Sequence, residues 1–172
     1  MDALADVQEI ATNGVSEVWL LAGNFLALLV LTVVVLAFAM RGGRNALISL
    51  ILALYAGYAL YMVFPYTETV VGAGEGAMMQ AIISVILFIL ATFPPFVLIR
   101  RLTGGGFGSL SLVPNLILSL LTAGFLLALG YHVFDVSNIY SFPQPLDQLF
   151  APTGYFFYWF IAPLIGLFIL AR

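Results

Sequence analysis

Two long apolar runs, Val18 to Met40 and Ala46 to Tyr66, are separated by only five polar residues, Arg41-Gly42-Gly43-Arg44-Asn45. Each run is long enough to cross a bilayer, which takes about 20 apolar residues at roughly 1.5 Å rise each. Two spanning helices joined by so short a link can only run antiparallel. The basic turn belongs on the cytoplasmic face, where short loops concentrate arginine and lysine. This hairpin orients the rest of the chain.

The composition agrees. Of 172 residues, 63% are hydrophobic and 8% charged, against about 45–50% and 25% in an average soluble domain. So much apolar surface has to be covered by lipid. There is no Cys, which removes disulfides, thiolate nucleophiles and Cys-ligated metals. A net charge of -3 leaves no basic surface for nucleic acid. The partners expected are the lipid bilayer and other membrane proteins or further copies of this chain. No cofactor is implied.

The charges are sorted. Asp2, Asp6, Glu9 and Glu17 precede the first run, Glu68 and Glu75 follow the second, and Asp135 and Asp147 follow the fourth. The only cations are Arg41, Arg44, Arg100, Arg101 and Arg172, in the alternate gaps and at the C-terminus. Five crossings place every acid on one side and every base on the other. The expected fold is therefore all-α: a polytopic membrane protein with the N-terminus out and the C-terminus in. Its five transmembrane helices are expected at about 18–40, 46–66, 77–99, 110–134 and 155–171. Residues 18–172 then form one transmembrane domain, preceded by an outer segment, 1–17. That segment lacks the basic start of a signal peptide. Leu4, Val7, Ile10 and Ala11 recur at helical spacing opposite its acids, as in a short amphipathic helix folded over the outer face.

Within the spans the informative residues are small or polar. Ser49, Ala53 and Gly57 recur every fourth position, and Gly124 with Ala128 and Ala162 with Gly166 repeat the spacing. Such ridges let helix backbones approach closely. Asn24, Gln80 and Asn115 are the intramembrane polar side chains, fitted to interhelical hydrogen bonds or, alternatively, to a ligand or ion path. Tyr55 and Tyr58 are expected to pack on neighbouring helices, and Trp19 and Tyr155 to Trp159 to form outer aromatic belts. Pro94-Pro95 should kink or unwind the third span. His132 and Asp135 stand three apart and could pair, or supply two ligands of a metal site; four are usual in a structural site.

Three connections complete the reading. Thr67 to Gly76, with three glycines, reads as a flexible loop. Gly104-Gly105-Gly106-Phe107-Gly108 reads as a flexible inner loop, since no strand precedes it and no Lys follows as a nucleotide motif requires. The outer segment 135–154 is strongly apolar and should pack across the bundle, with a helical turn over 145–150, and offer a partner surface.

The hairpin resembles the start of the colicin V production protein family of small bacterial inner-membrane proteins. In that family an apolar helix ends in an Arg-Gly turn with a second Arg close behind. A Gly-containing helix follows, as in Arg41-Gly42-Gly43-Arg44 and Gly57. Its third helix ends in basic residues before a Gly-containing linker, as at Arg100-Arg101 to Gly108. The similarity covers about residues 18–132. It implies a multi-pass protein of the bacterial inner membrane linked to export or envelope function. The residues themselves point to a non-catalytic scaffold or assembly subunit, because the span interiors lack the charged groups that carry intramembrane chemistry. A channel or transporter for a small neutral or apolar solute is the alternative. No catalytic or metal-binding residue is assigned.

Overall fold

A computed structural model describes residues 23–103 and 112–170 of the chain, apart from the Arg44 side chain. All of its regular structure is helical. Five helices are long and apolar enough to cross a membrane: α1 (Leu26–Gly43), α2 (Asn45–Val63), α4 (Ala77–Leu102), α5 (Leu112–Val133) and α7 (Thr153–Leu170). Two short helices, α3 (Thr67–Gly72) and α6 (Gln144–Phe150), lie in the connections, with a 3-10 turn at Val136–Asn138. The outer segment 1–17, Trp19, the glycine run 104–108 and Arg172 lie outside the described residues.

The hinge is tighter than expected. Arg41, Gly42, Arg44 and Asn45 are all helical, and only Gly43 leaves the helix, at φ 75° and ψ 177°. A side chain would oppose that positive φ; glycine adopts it freely. One residue suffices to reverse the chain. The Asn45 amide donates to the Thr103 carbonyl at 2.7 Å, while the Phe38 and Phe96 rings meet at 5.9 Å. In an unbroken helix Phe38 would lie about 20 Å from Phe96, at 1.5 Å per residue. Val35 and Ala39 accordingly share a buried cluster with Leu47, Ile51 and Leu118.

α2 and α5 are the inner helices, with 44% and 56% of their spans buried, against 17% for α1 and α4 and 11% for α7. They run parallel: Leu47 clusters with Leu118, Tyr55 stacks on Phe125 at 4.8 Å, and Tyr61 meets Phe134 edge-on at 5.6 Å. α4 lies antiparallel on α2, and α7 antiparallel on α5. Glycines set both approaches. A Cβ on Gly57 would fall 2.8 Å from the Thr92 Cα, and one on Gly124 2.3 Å from the Trp159 ring. Farther along the second pair, Gly166 faces Leu121 and Leu118.

One further expectation needs correction. Thr67 to Gly76 is not a plain loop, because residues 67–72 form α3. The Thr67 hydroxyl anchors its start on the Phe64 carbonyl at 2.8 Å. Of the kink or unwinding expected at Pro94-Pro95, the unwinding does not occur: α4 runs unbroken through both prolines. They remove two backbone donors, and Thr92 against Gly57 and Phe96 against Phe38 fix the helix on either side. With this topology Arg41, Arg100 and Arg101 share one end of the bundle, and Glu68, Glu75, Asp135 and Asp147 the other.

Candidate functional site: a lateral groove

A groove of about 890 Å3 lies between α1 and α4. Leu26, Ala27, Val30 and Leu31 form the α1 wall, and Val85, Phe88, Ile89, Thr92, Phe93 and Phe96 the α4 wall. Leu50 and Leu54 of α2 with Leu126, Leu127 and Gly130 of α5 make its floor. Its walls are open to the side: Leu26 is 59% and Ile89 58% exposed. At the arginine end Phe96, the last lining residue of α4, pairs with Phe38 across α1 and α4. At the acidic end Ile139, Tyr140 and Phe142 overhang it.

The groove is hydrocarbon almost throughout, and the hydroxyls of Thr92 and Tyr131 in its lining are engaged. The Thr92 hydroxyl donates to the Phe88 carbonyl at 2.8 Å. The Tyr131 hydroxyl donates to Asp147 Oδ1 at 2.5 Å. Back-bonding to the carbonyl four residues earlier also engages Thr32, Ser84 and Thr122. In a bilayer a hydroxyl closed on its own helix removes the cost of an unmet polar group.

The acidic end is a folded cap. Leu146 and Phe150 of α6 are fully buried against Leu127 and Ala128 of α5, with Phe25, Leu28 and Leu31 packed alongside. His132 Nε2 hydrogen-bonds with the Phe150 carbonyl at 2.7 Å, and Trp159 Nε1 donates to the Leu149 carbonyl at 3.1 Å. The partner given to His132 is thus this carbonyl, not Asp135. Asp135 sits in left-handed backbone at φ 47° and leads the 3-10 turn. Among the described residues no group of three His, Asp or Glu side chains could hold a metal.

The other singled-out residues fall as follows. Ser49, Ala53 and Gly57 are buried on α2. The Ser49 hydroxyl lies 3.0 Å from that of Thr103, and Gly57 faces Thr92. Gly124 and Ala128 are buried on α5; on α7 Gly166 is buried and Ala162 half-buried. Tyr55 donates its hydroxyl to the Phe160 carbonyl, and Tyr58 packs edge-on to Phe160 at 5.5 Å. Asn24 is half-buried just before α1, and Asn115 is buried near the arginine end of α5. Gln80 donates to the Gly74 carbonyl at 3.3 Å at the acidic end. Gln80 and Asn115 each stand in the first turn of their helix, at opposite ends of the bundle. Arg41, Arg100 and Arg101 are exposed, and the Arg100 guanidinium lies 5.8 Å from the Phe96 ring centre.

The groove carries no sequence signature, since Leu, Val and Phe line it as they line any lipid-facing surface. No family model matches the chain, and neither a curated protein nor a solved structure does.

Proposed function

We propose that this chain is a non-catalytic integral membrane protein that works by binding, as a scaffold or assembly subunit of a multi-pass membrane complex. The observation that carries the reading is the groove: it opens sideways from a closely packed bundle and ends at the Phe38–Phe96 pair. A lateral, blind apolar recess suits the holding of a hydrophobic partner in the membrane plane. Ligand sites are commonly apolar recesses of about 300–1,000 Å3. The cap adds a second surface, because Tyr140 and Leu149 stay exposed on a segment anchored through Asp147, Leu146 and Phe150. The N-out, C-in orientation, a bacterial inner-membrane location and a role in export or envelope assembly belong to the same proposal. They rest on the arginine distribution and the resemblance of the hairpin.

Mild-detergent purification with cross-linking tests it. The expected result is an oligomer or a reproducible co-purifying membrane protein; a strictly monomeric species with no partner would sink the assembly reading. A channel or carrier for a small neutral solute is the competing reading. Flux in proteoliposomes above that of protein-free vesicles would favour it. The separation of Gln80 from Asn115 and the blind end of the groove support the expectation of no flux.

A further inference from the structure

We propose that the groove holds one acyl chain of a glycerophospholipid with a net-neutral, ammonium-bearing headgroup that sits at the acidic end of the bundle. This rests on reading the groove as a binding surface, and not on the assembly role.

Three observations select the occupant. The first is length. From Val85 to Phe96 the α4 wall extends about 16 Å at 1.5 Å per residue, roughly half the 30 Å hydrocarbon thickness of a bilayer. That stretch lies about the middle of α4, so an acyl chain entering at the acidic end would reach past the bilayer centre. A partner helix crossing the whole membrane would need a seam about twice as long, and the Phe38–Phe96 pair interrupts this one. The second is lining. Hydrocarbon on both walls and the floor, with Thr92 satisfied by its own helix, offers an apolar tail contact along its length and a polar solute nothing.

The third is charge at the mouth. Asp135 stands between Phe134 and Val136, both of which line the groove, and Asp147 is bonded to the lining residue Tyr131. Every arginine whose side chain is described lies at the opposite end. A net-anionic headgroup placed here meets carboxylates and no cation, whereas an ammonium group is attracted by both acids. In the interfacial region that attraction exceeds its value in bulk water.

The test uses the purified full-length chain in mild detergent. It is mixed with equal amounts of phosphatidylethanolamine, phosphatidylglycerol and phosphatidylcholine of identical acyl chains, and adducts are read by native mass spectrometry. The expected result is a first adduct of one lipid, phosphatidylethanolamine or phosphatidylcholine, each favoured several-fold over phosphatidylglycerol. Ile89→Trp fills the groove from an exposed wall position and should abolish that adduct without lowering the melting temperature. Ile165→Trp, on the exposed face of α7 away from the groove, should leave it intact. Asp135→Asn should reduce the preference for the ammonium-bearing headgroups while chain binding persists.

No adduct, or one lost equally in both Trp variants, overturns the proposal. Equal or stronger retention of phosphatidylglycerol overturns the headgroup assignment. Binding seen only after residues 1–17 are removed would make the chain's own N-terminus the occupant. None of these outcomes bears on whether a protein partner co-purifies, so the two readings fail separately.

Discussion

Replacing Gly57 by Ala should measurably loosen the bundle, because the α2–α4 contact has no room for a methyl group. The added Cβ would lie 2.1 Å from Thr92 Oγ1, 2.9 Å from its Cβ and 2.8 Å from its Cα. A side-chain oxygen can turn away, but a backbone carbon cannot. Restoring ordinary carbon–carbon separation of about 3.5–4 Å requires the two helices to part by about 1 Å there. Overpacking of this kind costs about 1–3 kcal/mol. For a chain of this size each kcal/mol moves the melting temperature by about 2–4 °C, so a fall of about 2–12 °C is expected in detergent. Gly57→Leu should be worse. Thr92→Ala should rescue Gly57→Ala only in part, since it removes the hydroxyl and methyl groups but leaves the Cα in place. An unchanged melting temperature for Gly57→Ala, or full rescue by Thr92→Ala, would refute a backbone-to-backbone approach at this point.

Other predictions concern the hinge, the cap and the topology. Gly43→Val should lower the melting temperature, because left-handed backbone costs a side-chain-bearing residue roughly 1–2 kcal/mol, although no atom lies within 4 Å of the new Cβ. Tyr131→Phe removes a hydrogen bond to Asp147; such bonds to charged groups contribute about 1.5–3 kcal/mol, and faster proteolysis within 135–152 should report the loss. Reporters active only outside should work after residue 72 or 145 and fail after 43, 105 or 172, with activity after 105 contradicting the five-span topology. Changing Arg41 and Arg44 to Gln and adding two Lys near Glu9 should invert some molecules, read by cysteine labelling; Asp135→Asn with Asp147→Asn should not, as acids weigh little in orientation.

What the sequence disclosed was set by length and charge; what it concealed was set by contacts. The five apolar runs and the sorting of the arginines are local properties, and five helices long and apolar enough to cross a membrane formed. The hinge was legible as a turn but not as a one-residue turn, because only the backbone at Gly43 distinguishes it from Gly42. Helix α3 was hidden in a glycine-rich stretch, where propensity argues against the turn that Thr67 anchors. His132 found its partner 18 residues away in the Phe150 carbonyl, a contact that no spacing within one helix can announce. The groove was the least legible feature. On helices apolar all round, periodicity does not say which face meets protein and which meets lipid. Only the packing of α1 beside α4 separates Ile89 of the groove from Ile165 of the outer surface.

We propose that this recess opens to lipid and binds, rather than forming part of an aqueous path. The absence of native Cys makes the direct measurement possible: an Ile89→Cys variant in sealed vesicles, probed from each side with a charged thiol reagent and then with a membrane-dissolved one. Arg41→Cys and Asp135→Cys serve as controls, each reacting with the charged reagent from its own side. Ile89→Cys should resist the charged reagent from both sides and react with the membrane-dissolved one. Labelling by the charged reagent from either side would contradict it and place water, not lipid, in the groove.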